Sequence, residues 1–298
     1  MRLPVFCIAL FTSLSMLMAG CSPPPLNDMT GDIQTIIADY EGATVAVSIL
    51  DASKGFELHM DADRLFHAAS TMKVPVLIEL YRQAESGRFS LSDEVLLKNE
   101  FRSIVDGSLF QIEDDSDDAI YEQLGTPMAL EQLAYNMITV SSNLATNLLI
   151  DFLSADSVQT TSERLGTTHM QTIRGVEDLK AFDLGMSNKA TSRDLAHLME
   201  LLRTGTAVSV ESDAAMREIL NNQVFQTMIP SGLPAGVRAA HKTGSITAIH
   251  HDAAIIYPPD SEPFVLVIMI QGLQDHEASS LLGSEITRYV YKNLRGDA

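Results

Sequence analysis

The chain has 298 residues, 46% of them apolar and 20% charged, a balance that builds a buried core and excludes a disordered chain. Its formal charge of −19 at pH 7 argues against nucleic acid as a partner, because that binding rests on Lys and Arg neutralising phosphates. A chain this long accommodates one large domain or two subdomains.

Residues 1–20 read as a targeting segment and not as part of the fold. Arg2 supplies a minimal positive start, Val5 to Ala19 is a short apolar run, and Met18-Ala19-Gly20-Cys21 places small residues before a cleavage site. Ser22-Pro23-Pro24-Pro25 continues as a stiff tether over 21–29. A plain secretory signal or a single spanning helix are the alternatives, although Ser13 and Ser15 interrupt a run already short for a span. The only cysteines are Cys7 and Cys21, so removal of the segment leaves no disulfide within the chain.

The folded domain is expected over 30–298. Asp32 to Tyr40 has helical spacing, and Val45, Val47 and Ile49 alternate with Thr44, Ala46 and Ser48 as in a half-buried strand. Lys54-Gly55 turns into a second strand, Phe56 to Met60. A helix follows Ser70, with Val74, Leu77, Ile78 and Tyr81 on its apolar positions. From about 87 to 235 the pattern is mostly helical, including Leu130 to Phe152, Asp194 to Arg203 and Ala214 to Leu220. The acidic run Asp114 to Asp118 reads as a solvated loop or helix start, since it lacks the spacing and closing Glu of a calcium loop. Strand character returns at Val237 to His241, Ala253 to Tyr257 and Phe264 to Ile270, the last an unbroken apolar run suited to a strand covered on both faces. The final helix places Leu282, Ile286, Tyr289, Val290 and Leu294 on one side. Strands at both ends with helices between predict an α/β (α+β) fold. One antiparallel sheet would come from about 30–70 and 236–298, with a helical lobe over about 71–235.

Three stretches carry chemistry. In His67-Ala68-Ala69-Ser70-Thr71-Met72-Lys73, Ser70 and Lys73 are three apart at a helix start, so they share a face. A serine is a weak nucleophile until an adjacent base takes its proton, and a lysine serves once burial or a neighbouring cation lowers its pKa. Alone, S-x-x-K arises at roughly one position in 250 and decides nothing. Ser141-Ser142-Asn143 then opens a helix with two hydroxyls and an amide. His241-Lys242-Thr243-Gly244-Ser245 ends a strand with a cation, a hydroxyl and a glycine that lets a ligand lie against backbone.

S-x-x-K, S-x-N and K-T-G in that order resemble the motif set of class A β-lactamases and penicillin-binding proteins, from Val45 to the last helix. The first twenty residues similarly resemble a bacterial lipoprotein signal, with Cys21 lipidated. The resemblance implies that Ser70 forms an acyl-enzyme and that Lys73 takes its proton. It makes Ser141 the proton relay to the leaving nitrogen and has Asn143 orient Lys73 and the substrate amide. Backbone N–H groups of Ser70 and Ser245 would receive the oxyanion, while Lys242 and Thr243, beside Gly244, would bind a substrate carboxylate. Two positions depart from the pattern. Glu177 is the expected deacylation base by its spacing from Ser141, yet aligning Arg174 and Leu179 with the family instead puts Val176 there. Where the family often carries an arginine, His251 stands beside His250, as a contact to an anionic substrate or as polar residues at a strand start.

These readings predict a β-lactamase acting through Ser70, without metal or other cofactor. The alternatives are a penicillin-binding-type peptidase or esterase acting on a peptidoglycan-like peptide, and a lipoprotein that is acylated and stays so. The expected protein is a monomer, lipid-anchored at Cys21 to a bacterial membrane and facing the periplasm or outside.

Overall fold

The computed structural model describes residues 29–296. The expected signal segment, Cys21 and most of the tether lie outside the described residues. Helix α1 (Met29–Ala38) leads into strands β1 (Thr44–Asp51) and β2 (Phe56–Met60), joined through Gly55 in the left-handed region at φ 57°. The chain then enters the helices α2 (Lys73–Glu85), α3 (Leu130–Thr139), α4 (Asn143–Leu153), α5 (Ala155–Arg164), α6 (Leu179–Asp183), α7 (Ser192–Thr204) and α8 (Val210–Asn221). It returns to the sheet through β3 (Arg238–Ile246), β4 (Ile249–Tyr257) and β5 (Phe264–Gln271) before closing with α9 (His276–Arg295).

The five strands form one antiparallel sheet in the order β2-β1-β5-β4-β3. The two chain ends meet where β1 pairs with β5, from Thr44 opposite Gln271 to Leu50 opposite Val265. On one face Val45, Val47, Ile49, Leu266 and Ile268 pack under α1 and α9; on the other Ala46, Val265, Val267 and Met269 pack under α7. β5 is therefore covered on both sides, as its unbroken apolar run requires. The mixed α/β fold read from the sequence, a two-ended antiparallel sheet flanked by helices, is the one observed.

α2 is the axis of the helical region. Val74, Val76, Leu77, Ile78 and Leu80 are all fully buried, and on the remaining face buried Glu79 is satisfied by Arg82, Gln83 and Thr161, so the helix is enclosed on nearly every side. Each of those apolar side chains contributes about 1.5–3 kcal/mol on burial. Pro75 sits in the first turn, where its missing N–H has no intrahelical partner to lose. This anchorage makes the start of α2, the Ser70 turn, a rigid platform. β3 lies at the sheet edge beside it, so that Gly244 packs against the turn: a Cβ at Gly244 would stand 3.1 Å from the Ser70 amide nitrogen.

Candidate active site

Ser70 lies in a 3₁₀ turn, Ala69–Met72, that feeds α2. Ala69 enters it at φ 45°, a conformation costly for a residue with a Cβ and held here by neighbours. Its amide donates to His67 Nδ1 at 3.0 Å, and Thr71 Oγ1 donates to the Ala68 carbonyl at 2.6 Å. Ser70 stands where two cavities meet. One, of about 360 Å³, is lined by Val176, Glu177 and Phe182 among others; a wider one, of about 1040 Å³, runs past Ser141, Thr243 and His250. Asn143 and Ser245 border both.

The second motif is a sharp break between helices, inside the Leu130 to Phe152 stretch of helical pattern and at the helix start expected for Ser141-Ser142-Asn143. α3 ends at Thr139, Ser141 takes φ 59°, and α4 starts at Asn143 with Ser142 Oγ accepting from Ala145 N at 3.3 Å. The break turns Ser141 and Asn143 onto Lys73. Lys73 Nζ donates to the Ser141 carbonyl at 2.6 Å, Ser141 Oγ at 3.1 Å and Asn143 Oδ1 at 3.0 Å. Lys242 Nζ reaches the same Ser141 Oγ at 3.1 Å and donates to the Thr243 carbonyl at 2.9 Å. One hydroxyl thus bridges the two lysine nitrogens, and both lysines are fully buried.

Burial pulls the Lys73 pKa down to about 7, while Asp115 and then Glu177 pull the other way. Lys242 is lowered well below its ordinary value by burial and then by the Lys73 charge. Two unit charges roughly 6 Å apart repel by about 3 kcal/mol at an effective dielectric of 20, so the pair does not hold two charges cheaply. A neutral Lys73 at physiological pH has the lone pair that a base needs. The Ser70 hydroxyl takes none of the three Lys73 hydrogen bonds; such contacts commonly tighten only once substrate is bound.

Segment 171–188 forms the opposite wall. Its neck is closed by Asn188, whose Oδ1 accepts from Ile173 N and Arg174 N and whose Nδ2 donates to the Arg174 carbonyl. Asn147, on the inner face of α4, fastens the middle: its Oδ1 accepts from Val176 N at 2.6 Å and its Nδ2 donates to the Val176 carbonyl at 2.9 Å. Glu177 follows at φ 61° and lines the smaller cavity with Ser70. Partial burial, then Asp114, raises its carboxyl pKa, and Arg174 and Lys73 oppose that shift.

His251 is a correction. The expected substrate contact is fully buried, with Ile270 N donating to its Nδ1 at 3.2 Å and its Nε2 beside the His67 carbonyl at 3.0 Å. Strand alternation is the reason: His251 pairs with Gly244 on the face turned to the core, and burial takes its pKa down to about 4. His250, opposite Ser245, borders the cleft instead, edge-on to His276, whose Nδ1 lies 3.1 Å from Ser245 Oγ. The K-T-G stretch also does not end its strand; pairing runs on to Ile246.

The acidic run is a largely exposed loop that leads into a helical turn, Asp118–Tyr121, as expected, but it has a further role. It lies on the cleft: Asp115 accepts from Asn143 N and Leu144 N, both at 2.8 Å, and Asn143 Nδ2 donates to the Asp114 carbonyl at 3.1 Å. Asp115 and Asn147 were the residues that sequence reasoning passed over. Asn147 had a signal, an amide within the apolar stretch Leu144 to Ile150, because a buried amide must find partners.

With this geometry in place, the family model described as the β-lactamase enzyme family matches residues 28–294. The chain belongs to the β-lactamase enzyme family. The β-lactamase CARB-3 of Pseudomonas aeruginosa is 26% identical over 227 residues, 72% of this chain and 75% of that one. The β-lactamase from Sphaerobacter thermophilus is 29% identical, with a TM-score of 0.75 over 88% of this chain and 96% of its own. PBP-A is 26% identical, with a TM-score of 0.79 over 92% of this chain and 99% of its own. A second PBP-A structure, a mutant 27% identical to this chain, is an acyl-enzyme complex with penicillin G. The enzyme is a hydrolase of the β-lactamase family with a fold of class A type.

Proposed function

We propose that this enzyme hydrolyses a β-lactam amide through an acyl-enzyme on Ser70. Ser70 Oγ attacks the lactam carbonyl while its proton passes to neutral Lys73, directly or through a water. Backbone N–H groups of Ser70 and Ser245 receive the oxyanion, and loss of one such donor costs around 10²–10³ in rate. As the C–N bond breaks, Ser141 hands a proton to the nitrogen and is resupplied from the two lysines. Lys242 and Thr243 hold the substrate carboxylate, and Asn143 orients Lys73 and the substrate amide. Water, activated by Glu177, then cleaves the ester and returns the proton to Ser70. The observation that carries this reading is Ser141 Oγ, placed 3.1 Å from both lysine nitrogens on the cleft wall next to Ser70.

A second reading is a penicillin-binding-type hydrolase that acts on peptidoglycan-like peptides or esters, or remains acylated by β-lactams. The Asn147 clamp favours it, because Val176 is the residue held by two hydrogen bonds whereas Glu177 is one step further along. The likeness to PBP-A points the same way. Incubation with a chromogenic cephalosporin, followed by product and intact mass, separates the readings. Steady turnover that Glu177→Gln abolishes, leaving a trapped adduct, supports the first. One burst with a lasting adduct, unaltered in Glu177→Gln, supports the second, as does cleavage of a D-Ala-D-Ala peptide. Activity remaining in Ser70→Ala would refute both.

We also propose that residues 1–20 are a signal segment and that Cys21 carries a lipid holding a monomeric domain at a bacterial membrane, facing the periplasm or outside. Under that proposal Cys21→Ser moves the protein from the membrane fraction to the soluble one.

A further inference from the structure

The stretch between the Ser70 turn and the Ser141 turn has no role in the mechanism above, yet it is tied into both walls of the cleft. A short hairpin pairs Phe101–Arg102 with Leu109–Phe110, and Asn99 pinches its base through Ile112 N at 2.8 Å and the Ile112 carbonyl at 3.0 Å. Towards segment 171–188, Ser103 Oγ and Ile104 N donate to Asp178 at 3.0 and 2.9 Å, and Lys180 Nζ donates to Asp106 at 2.9 Å. Towards the Ser141 turn the contacts are denser. Asp115 Oδ1 accepts from Asn143 N, while Oδ2 accepts from Leu144 N and from the Tyr121 hydroxyl, all at 2.8 Å. Ser116 Oγ donates to the Val140 carbonyl at 2.5 Å, and Asn136 Nδ2 to Asp117 Oδ2 at 3.0 Å.

We propose that Asp115 is a positioning residue of the acylation site: by closing the N-terminus of α4, its carboxylate holds Ser141 and Asn143 in the arrangement that engages Lys73. The proposal rests on the reading of Ser70 and Lys73 given above.

The first amides of a helix have no partner within it, and Ser142 Oγ satisfies only Ala145 N here. Asp115 takes the two that remain nearest the site, where the helix dipole also favours an anion. Ser141, two residues before the first of these amides, sits at φ 59°, a conformation that persists only where the surroundings over-determine it. Asn143 is fixed at three points: its amide nitrogen by Asp115, its Nδ2 by the Asp114 carbonyl and its Oδ1 by Lys73. The capping carboxylate is also a charge. Around Lys73 stand Lys242 from β3, Glu177 from segment 171–188 and Asp115 from the acidic run, and of the two anions Asp115 has the larger pull on the ammonium.

Asp115→Asn separates a positioning role from a structural one. It keeps one acceptor for the α4 amides and deletes the charge, so neutral Lys73 becomes available at lower pH. The acid limb of Ser70 acylation, read from adduct formation by intact mass between pH 5 and 9, is expected to move down by about half to one pH unit. The plateau rate is expected to fall several-fold. The Lys73 titration, followed by ¹³Cε NMR of labelled lysine and assigned by its absence in Lys73→Met, should move down by the same amount. That measurement needs no substrate. If the parent chain is never acylated, the reading of Ser70 fails while the titration still decides the role of Asp115. An unmoved or raised Lys73 titration in a folded Asp115→Asn protein overturns the proposal. Thermal melting reports folding, and Asp115→Ser, also without charge, takes the place of a variant that is not recovered folded. Loss of the fold in both makes Asp115 structural and overturns the proposal as well.

Discussion

Asn143→Asp changes almost no volume and adds one charge at a known distance. Asn143 Oδ1 lies 3.0 Å from Lys73 Nζ. At an effective dielectric of 20, unit charges about 3 Å apart attract by about 5 kcal/mol, equivalent to nearly four pH units. Asp114 and Asp115 oppose the new carboxylate and solvent reaches the cleft, so about two units is the working figure. Lys73, held at about 7 by burial, then rises to about 9 and leaves about 1% neutral at pH 7. If neutral Lys73 accepts the Ser70 proton, acylation at pH 7 falls about 50-fold and recovers about tenfold per pH unit toward pH 9. Stopped-flow bursts with a chromogenic cephalosporin between pH 6 and 10, checked by intact mass, measure this. A variant that keeps the parent rate at pH 7, or loses the same factor at every pH, refutes Lys73 as the base.

Lys73 also costs stability. Its folded pKa lies below the ordinary lysine value of 10.5, so the unfolded chain binds more protons between about 7 and 10.5 and stability rises with pH across that window. Lys73→Met is therefore expected to raise the melting temperature while abolishing acylation, with a larger gain at pH 6 than at pH 10, measurable by calorimetry. For His251, a folded pKa of about 4 against an ordinary 6.5 means that the neutral buried ring contributes stability above 6.5 that is lost as pH falls toward 4. The loss amounts to about 3 kcal/mol. His251→Gln, whose amide can accept from Ile270 N and donate to the His67 carbonyl, should flatten that acid loss and leave KM for a carboxylate-bearing substrate within about twofold. A rise in KM with unchanged acid stability would return His251 to the substrate site.

Much of this enzyme is local in origin, and therefore legible in the chain. The alternation of Val45, Val47 and Ile49 and the unbroken run of Phe264 to Ile270 identify strands, because side-chain period and burial are properties of a few consecutive residues. Ser70 and Lys73 share a helix start for the same reason. What is not legible is of another kind. The helix start at Ser141-Ser142-Asn143 is legible, but its anchorage by Asp115 and Ser116 from a distant segment is not. The choice between His250 and His251 depends on strand parity, which the pairing of His251 with Gly244 decides. Within the acidic run, an exposed loop and helix start as expected, the partners of Asp115 are not legible because they are the amides of Asn143 and Leu144, remote in sequence.

The sequence alone therefore determined which side chains are the candidates, Ser70, Lys73, Ser141 and Lys242, and their order along the chain. Only the tertiary structure decided which of them share a proton network, which histidine borders the cleft, and that Val176 rather than Glu177 is clamped by Asn147. The physical reason is that reactivity here comes from burial and from hydrogen bonds between residues dozens of positions apart. Neither exists until the sheet, built from both chain ends, packs against the Ser70 turn.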